Sequence, residues 1–330
     1  MSDDHFKQFN DKLAGKVALV TGGAGFIGSH IATRMHGCGA TVRVLDDLSG
    51  GYPQNLPEGV DLIRASILDQ DALARACEGV DYVFHHAAMV SVPESVAKPD
   101  QCVRVNVSGT ERVLDAAKRG GARRVMFAAS AAAYGDTPTL PSSESHTPDC
   151  YSPYAASKVS GEMLLSVYAR NFDLSTVSLR YFNIFGPKQD PTSAYAAVIS
   201  AFANRLLAGT QPSVFGDGKQ TRDFTYIDNV VLANLLAATS DRDLRGEVIN
   251  IGTGTQSSLL DVLEAMNRVT NVPGGPEFKD PRAGDVRDSV ADISRARELL
   301  GYEPIVDLTE GLERTMVWMR DNVHPPTVTV

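Results

Sequence analysis

Short apolar runs alternate with longer helical stretches along the first half of the chain. The runs have the length and β-branched character of buried strands. The pattern predicts strands at Lys16–Val20, Thr41–Asp46, Val60–Arg64, Val80–His85, Arg124–Ala129 and Leu174–Leu179. Helices are predicted near Phe26–Gly37, Asp69–Cys77, Pro99–Lys118 and Tyr154–Ala169. Such alternation is typical of an α/β fold in which helices cover both faces of a doubly wound parallel sheet.

The pattern loosens after Asn183, where turn pairs such as Gly186-Pro187 become frequent. Further helices are predicted at Ala194–Leu207, Asn229–Ala238, Ser258–Val269 and Ser294–Leu300. We expect residues 13–182 to form the main domain. Residues 183–322 should form a smaller, mixed C-terminal lobe, with some segments rejoining the main sheet. The two ends, Met1–Lys12 and Pro325–Val330, are expected to be mobile.

Composition narrows the class of protein. The formal net charge of the 330 residues is −9, which argues against a general nucleic-acid binder. No apolar run reaches the length of a membrane span. The four cysteines form no CxxC pair, so we predict no metal site and reduced thiols. These features favour a soluble, cytoplasmic protein.

A glycine-rich turn follows the first strand and opens the first long helix. Its sequence from Gly22 to Gly28 satisfies both GxGxxG and GxxGxxG, so the backbone can approach a pyrophosphate closely. A plain glycine-rich turn is the alternative, but the strand–turn–helix context argues against it. The turn predicts a Rossmann-type domain that binds a dinucleotide, with contacts from Gly22, Gly25, Phe26 and Ile27. Asp46 ends the second strand, where a carboxylate binds a ribose diol and repels a 2′-phosphate, so NAD is favoured over NADP.

Tyr154 and Lys158 lie four residues apart on one face of a predicted helix. A phenol has a free pKa of about 10, and a cation about 4 Å away would lower it by roughly three units. We therefore expect Lys158 to bring the Tyr154 phenol towards the range useful in acid–base catalysis. Ser130 lies upstream, at the end of a strand, and could either assist this pair or merely cap the strand end.

These motifs together resemble the extended short-chain dehydrogenase/reductase family, and most closely its nucleotide-sugar 4-epimerase branch. The resemblance runs from about Gly15 to Pro304. It is carried by Thr21–Gly28, Asp46-Asp47, His85–Ala88, Asn106–Thr110, Ser130–Gly135, Tyr154–Lys158, Arg180–Pro187, Arg222–Phe224 and Arg282–Val286.

The resemblance implies a role for each matching position. Tyr154, Lys158 and Ser130 would be catalytic, with Tyr154 and Lys158 also contacting NAD. Further NAD contacts would come from Ser66, Ile67, Ala87, Ala88, Asn106 and Tyr181. A UDP-sugar would be bound by Ser130, Asn183, Val198, Phe215, Arg222, Arg282, Asp285 and Ser289. His85 and His86 are expected to be structural rather than metal ligands. Family members commonly form homodimers through two helices, here Pro99–Lys118 and Tyr154–Ala169.

The residues after Ser130 narrow the reaction. Sugar dehydratases of this family have an Asp-Glu pair there, whereas this chain has Ala131-Ala132. The resemblance thus implies an isomerase: NAD-dependent C4 epimerisation of a UDP-hexose through a 4-keto sugar. Ser289 stands where a large aromatic residue would restrict the pocket, so the preferred pair is expected to be UDP-N-acetylglucosamine and UDP-N-acetylgalactosamine. UDP-glucose/UDP-galactose or UDP-glucuronate epimerisation is the alternative, and a non-catalytic NAD-binding regulator is an alternative of another class.

Overall fold

The computed structural model describes residues 4–190, 198–270, 275–281 and 286–322. The strands are β1 Val17–Thr21, β2 Thr41–Asp46, β3 Asp61–Arg64, β4 Tyr82–His85, β5 Arg124–Ser130, β6 Ser175–Tyr181, β7 Ile184–Phe185, β8 Ser213–Phe215, β9 Thr221–Arg222, β10 Thr225–Tyr226, β11 Arg245–Ile251, β12 Ser257–Ser258 and β13 Glu277–Lys279. The α-helices are α1 Asp4–Lys7, α2 Asn10–Leu13, α3 Phe26–Gly37, α4 Gln70–Cys77, α5 Val92–Ala97, α6 Pro99–Val103, α7 Gly109–Arg119, α8 Pro153–Phe172, α9 Val198–Leu207, α10 Ile227–Thr239, α11 Leu259–Thr270, α12 Ser294–Leu300 and α13 Leu308–Asn322. Within these ranges no helix has the length and hydrophobicity of a membrane span.

Seven parallel strands form the central sheet, in the order β11-β6-β5-β4-β1-β2-β3. Successive side chains of the inner strands β1, β4 and β5 alternate between two core clusters. In β1, for example, Ala18 and Val20 belong to the larger cluster, with α3 and α10, and Leu19 belongs to the smaller, with α4, α7 and α8. The strand order reverses between β1 and β4, and ligands of such sheets bind beyond the carboxyl ends of the strands at this point.

The predicted Rossmann-type fold is confirmed. β11, from the later part of the chain, pairs with β6 at the sheet edge. Among the described residues after Asn183, three short strand pairs form outside the sheet, β10 with β7, β12 with β9 and β13 with β8. The expectation of a mobile N-terminal segment does not hold for residues 4–12, which pack against the core, and Pro325–Val330 lie outside the described residues. Phe6 and Phe9 in that segment are 4% and 2% exposed, and the Arg34 guanidinium stacks 4.0 Å from the Phe6 ring centroid. Phe6 lies in α1 and Phe9 directly precedes α2, so the polar residues around them gave no helical periodicity that predicted their burial.

Candidate active site

The glycine-rich turn has the geometry that its sequence predicts. Gly22 adopts φ +67°, and a Cβ there would lie 2.6 Å from the backbone nitrogen of Ala87. A Cβ on Gly28 would lie 2.3 Å from the Gly22 carbonyl oxygen. Helix α3 then begins without a side-chain cap at Gly25, which leaves its first N–H groups available to an anion. Phe26 and Ile27 form its first turn. These features fit the pyrophosphate of a dinucleotide.

Asp46 ties this turn to the second strand. Its carboxylate accepts hydrogen bonds from the backbone N–H of Ala24 at 2.9 Å and of Leu48 at 2.8 Å. Each carboxylate oxygen has two acceptor sites, so both keep capacity for a ribose hydroxyl. Ser66 lies beyond β3, and its hydroxyl accepts a hydrogen bond from the Leu68 N–H at 3.2 Å.

Two residues implied to contact NAD are engaged within the protein. Ile67 is only 3% exposed and packs so closely on Gly109 that a Cβ there would meet it at 2.5 Å. Asn106 lies in a π-helical turn, Arg104–Ser108, between α6 and α7. Its amide binds both the N–H and the carbonyl of Met89 and donates to the Ser157 hydroxyl at 2.9 Å. Asn106 therefore joins the loop after β4 to α8.

His85 is buried in a chain of hydroxyl groups. Thr110 donates to the Asn106 carbonyl, so its hydroxyl accepts from His85 Nε2 at 3.0 Å. Thr21 then donates to His85 Nδ1 at 2.7 Å and accepts from the Ala87 N–H. Burial lowers the pKa of His85 well below its ordinary value, so the ring is neutral. In the described part of the chain no three His, Cys, Asp or Glu side chains cluster as metal ligands.

Tyr181, at the end of β6, takes part in a second set of buried hydrogen bonds. Its hydroxyl lies 3.0 Å from His86 Nε2 and accepts a hydrogen bond from the Asn234 amide at 2.9 Å. The Tyr181 and His86 rings stack with their centroids 6.0 Å apart. Burial lowers the pKa of His86 to about 3 and raises that of Tyr181. Both rings are therefore neutral near pH 7. Ala87 and Ala88 follow His86 and are half-buried.

Helix α8 presents Tyr154 at its first turn. Ser152 caps the helix by accepting a hydrogen bond from the Ala155 N–H, and Pro153 occupies the first helical position. The Tyr154 N–H donates to the buried Ser95 hydroxyl at 3.1 Å. Lys158 follows one turn later and is 3% exposed. Local sequence thus fixes where the helix begins and which face the pair shares.

The expected effect of Lys158 on the phenol is not found. The pKa of Tyr154 is raised, chiefly by burial, against a hydrogen bond with Ser130 that favours the phenolate. The Lys158 ammonium lies 5.8 Å from the Tyr154 ring centroid and donates to the Ala128 carbonyl at 2.7 Å. Burial lowers the pKa of Lys158 to about 8. Desolvation therefore shifts the pKa of each group towards its neutral form. Ser130 also caps the next turn by accepting from the Ala132 N–H at 3.2 Å.

Three predicted sugar-nucleotide residues lie on connected segments. Asn183 is exposed with φ +33°, a rare conformation for a residue with a side chain, and its carbonyl accepts from the Thr225 N–H. Arg222 lies three residues before Thr225 and donates to the Thr221 carbonyl at 2.8 Å. The Ser289 N–H donates to that same carbonyl at 3.2 Å. The fold thereby brings Arg222 and Ser289 together.

The other predicted substrate residues are less closely linked. Phe215 ends β8, and its carbonyl accepts from the Gln220 amide at 2.7 Å. Val198 begins α9 and packs against the larger core cluster. Arg282 and Asp285 lie outside the described residues.

Two buried polar residues near this region were not identified from the sequence. Asp223 is 0% exposed, and its carboxylate accepts from the backbone N–H groups of Thr253, Gly254 and Ala291. Asn250 is also 0% exposed, in β11. Asp223 is part of the Arg222–Phe224 motif, and that motif was the only indication in the sequence that Asp223 has a role. Asn250 occurs in an otherwise apolar run, and a polar residue in a buried strand is the signal that could have found it.

A family model described as the NAD dependent epimerase/dehydratase family matches residues 18–252. The chain belongs to this family. It is 39% identical to a UDP-glucose 4-epimerase of Mycolicibacterium smegmatis, over 92% of this chain and 98% of that protein.

Solved structures agree with this assignment. A UDP-N-acetylglucosamine 4-epimerase from Methanobrevibacter ruminantium, in complex with UDP-N-acetylmuramic acid, superposes with TM-score 0.89 and 37% identity over 93% of this chain and 99% of that one. A UDP-glucose 4-epimerase of Thermus thermophilus, in complex with NAD, has TM-score 0.85 and 35% identity over 93% and 100%. The predicted family with its 4-epimerase branch, the fold and NAD dependence are confirmed, and the enzymes named are isomerases.

Proposed function

We propose that this chain is a UDP-sugar 4-epimerase that interconverts UDP-N-acetylglucosamine and UDP-N-acetylgalactosamine. The observation that carries the choice of sugar is Ser289, a small, half-buried side chain whose segment is hydrogen-bonded to that of Arg222. A serine at this position leaves space for a 2-acetamido group that a large aromatic residue would fill. The similarity to a UDP-N-acetylglucosamine 4-epimerase supports the same choice.

The catalytic step falls to Tyr154. NAD, held by the glycine-rich turn, Asp46 and Lys158, would supply the hydride acceptor for the oxidation of sugar C4 and the hydride donor for the reverse step. Tyr154 would remove the proton of the 4-hydroxyl while C4 is oxidised and give it back after the 4-keto sugar has turned. Because burial raises the pKa of this phenol, its ionisation in the complex would depend on the nearby positive charges of Lys158 and of the oxidised nicotinamide. Ser130 would hold the 4-oxygen, and its interaction with the Tyr154 phenol favours the phenolate.

Lys158 and the glycine-rich turn act on the cofactor in this proposal. Lys158 supplies a buried ammonium group beside Tyr154, directed by the Ala128 carbonyl. Gly22, Gly25 and the N–H groups at the start of α3 hold the pyrophosphate, and the free acceptor sites of Asp46 bind the adenosine ribose. Ala87, Ala88 and Tyr181 border the same end of the sheet.

Epimerisation requires that the sugar can turn while the nucleotide stays fixed. Arg222 and Asn183 would hold the diphosphate, for which a guanidinium fork is well suited. Phe215 and Val198 would border the uracil. The absence of an acidic pair after Ser130 removes the group that a dehydratase needs to expel a 6-hydroxyl, so the 4-keto sugar is reduced again rather than dehydrated.

We also infer a homodimer. Exposed apolar side chains lie on the two helices that the resemblance implicates, with Met163 64%, Val167 48% and Val103 49% exposed. Met163 and Val167 are one turn apart on α8 and form one apolar strip. Met163→Glu should convert the dimer to monomer in light scattering. Phe278→Glu, at a residue 57% exposed on β13, should leave the assembly unchanged.

The function is tested by incubating the protein separately with UDP-N-acetylglucosamine, UDP-glucose and UDP-glucuronate and following C4 configuration by NMR. We expect the acetylated pair to interconvert fastest, with Tyr154→Phe as the inactive control. Faster turnover of plain or uronic sugars would replace the proposed substrate. NAD binding without conversion of any UDP-sugar would favour the non-catalytic regulator.

A further inference from the structure

Asn250 has every side-chain hydrogen-bonding group engaged by one of three different segments. Its amide nitrogen donates to the carbonyls of Ser142 at 2.8 Å and Asp292 at 3.2 Å. Its amide oxygen accepts from the Tyr134 hydroxyl at 2.6 Å. The residue is 0% exposed, so none of these bonds can be exchanged for water without opening the core. Asn250 therefore fixes Tyr134, Ser142 and Asp292 in one frame.

The Tyr134 bond leads to the catalytic residues. Tyr134 ends the 3₁₀ turn Ala131–Tyr134, which starts directly after Ser130. Its ring lies 4.7 Å from the Arg180 guanidinium, and Arg180 forms a buried bidentate pair with Glu162, with both N–O distances 2.7 Å. Glu162 is one turn beyond Lys158 on α8. The Ser130 turn and the Tyr154 helix are thus held by the same buried contacts.

The two hydrogen bonds that the Asn250 amide donates connect it to the segment that contains Ser289, the proposed specificity residue. Ser142 donates its N–H to the Val290 carbonyl at 2.8 Å, and the Asp292 N–H donates back to the Ser142 carbonyl at 2.9 Å. Ser289 directly precedes Val290. The strip Ser289–Asp292 is consequently held at its far end by Asn250, and at its near end by the bond of Ser289 to Thr221.

We propose that Asn250 is a positioning residue that sets the distance between the Ser130 turn and Ser289, and thereby the sugar selectivity of the site. This inference rests on the proposed function, because it assigns Ser130 to the sugar 4-oxygen and Ser289 to the space beside C2. A misplacement of about 1 Å can cost about a hundredfold in rate, so a buried amide that fixes both segments controls turnover without touching substrate.

Asn250→Leu tests the inference, because it keeps the approximate volume and removes all three bonds. Asn229→Leu is the matched control. Asn229 is also 0% exposed and makes three bonds to backbone groups, but it holds Ile305 and Val306 in the C-terminal segment. Both variants should lose thermal stability. Only Asn250→Leu should lower the ratio of kcat/KM for the acetylated sugar to that for the plain sugar, by about tenfold, the scale of a methylene-sized misfit.

Tyr134→Phe tests the contact of Asn250 with the Ser130 turn separately from its contacts with the Ser289 segment. It also tests the proposal if Asn250→Leu does not fold. It removes the hydroxyl through which Asn250 holds the Ser130 turn and leaves the amide bonds to Ser142 and Asp292. We therefore expect kcat to fall on both sugars while NAD binding, followed by protein fluorescence, is unchanged. An unchanged kcat in Tyr134→Phe would overturn the proposal, as would equal selectivity ratios in the two asparagine variants.

Failure of the substrate proposal would be visible separately in the wild-type protein. If wild type converts only UDP-glucose, Asn250→Leu should still raise the KM for that sugar relative to Asn229→Leu. Equal KM values in those two variants would then contradict the role of Asn250 independently of which sugar is preferred.

Discussion

The dinucleotide half and the sugar half of the site are assembled differently. On the dinucleotide side, residues that act together are neighbours in sequence, such as Gly22 and Gly28 in one turn or Tyr154 and Lys158 on one helix. On the sugar side, Arg222 and Ser289 come from distant segments that meet through the single carbonyl of Thr221. Local backbone geometry thus shapes the glycine-rich turn of the first half, whereas Arg222 and Ser289 depend on hydrogen bonds between distant segments.

This difference explains how the two halves can diverge. A strand–turn–helix unit cannot change its glycines without a clash, so its chemistry is fixed. Segments that are joined by side-chain clamps such as Asn250 and Asp223 can shift as a unit and change the space around a sugar. We therefore expect variants of the first half to abolish function and variants of the second half to redirect it.

The largest effect is expected at Tyr154. Tyr154→Phe removes the proton carrier but keeps the ring, and kcat should fall by about 10²–10⁴-fold. NAD affinity, measured by equilibrium titration, should change little, because the ring still packs at the start of α8. Activity within tenfold of wild type would mean that another group moves the proton.

Gly22→Ala should have the next largest effect. The new alanine would have to adopt φ +67°, and its Cβ would lie 2.6 Å from the Ala87 nitrogen. The backbone at the end of the strand would therefore have to move. Unfolding free energy should fall by roughly 3 kcal/mol and NAD affinity should fall with it. Gly37→Ala is the control, since nothing lies within 4 Å of a Cβ there. Equal behaviour of the two variants would remove the case for a closely fitted turn.

Ser289→Tyr tests whether the sugar half redirects rather than abolishes function. The ring should fill the space for the 2-acetamido group, so kcat/KM for the acetylated sugar falls about 10–200-fold while that for the plain sugar changes only a few-fold. Ser289→Ala should behave as wild type, because size and not the hydroxyl is decisive. Unchanged turnover of the acetylated sugar by Ser289→Tyr would remove the reason for choosing it.

A smaller, graded effect concerns the charge of Lys158. Burial lowers its pKa from 10.5 to about 8, so between these values the unfolded chain keeps a proton that the folded chain has lost. The unfolding free energy should therefore rise with pH across this window, by at most about 1.4 kcal/mol per unit. The unfolding free energy of wild type minus that of Lys158→Met, both measured by chemical denaturation, should grow with pH. A constant or shrinking difference would contradict the assigned pKa.

Features set by local sequence could be predicted from the sequence, whereas those set by contacts between distant segments could not. The bounds of α3, β2 and α12 agree with the prediction, because each has local punctuation and regular spacing. The raised pKa of Tyr154 was missed, since burial and the direction of the Lys158 ammonium depend on the packed sheet. Asn250 was missed because its partners Tyr134 and Asp292 are distant in sequence. The roles of Arg222 and Ser289 came from resemblance alone and remain predictions.

The most direct test follows the hydrogen on sugar C4. UDP-N-acetylglucosamine carrying deuterium at C4 would be incubated with the enzyme in ordinary water, and the product examined by NMR and mass spectrometry. The account predicts UDP-N-acetylgalactosamine that retains deuterium at C4, because the hydride leaves and returns within one closed site. A product with hydrogen at C4, or no epimer at all, would contradict it.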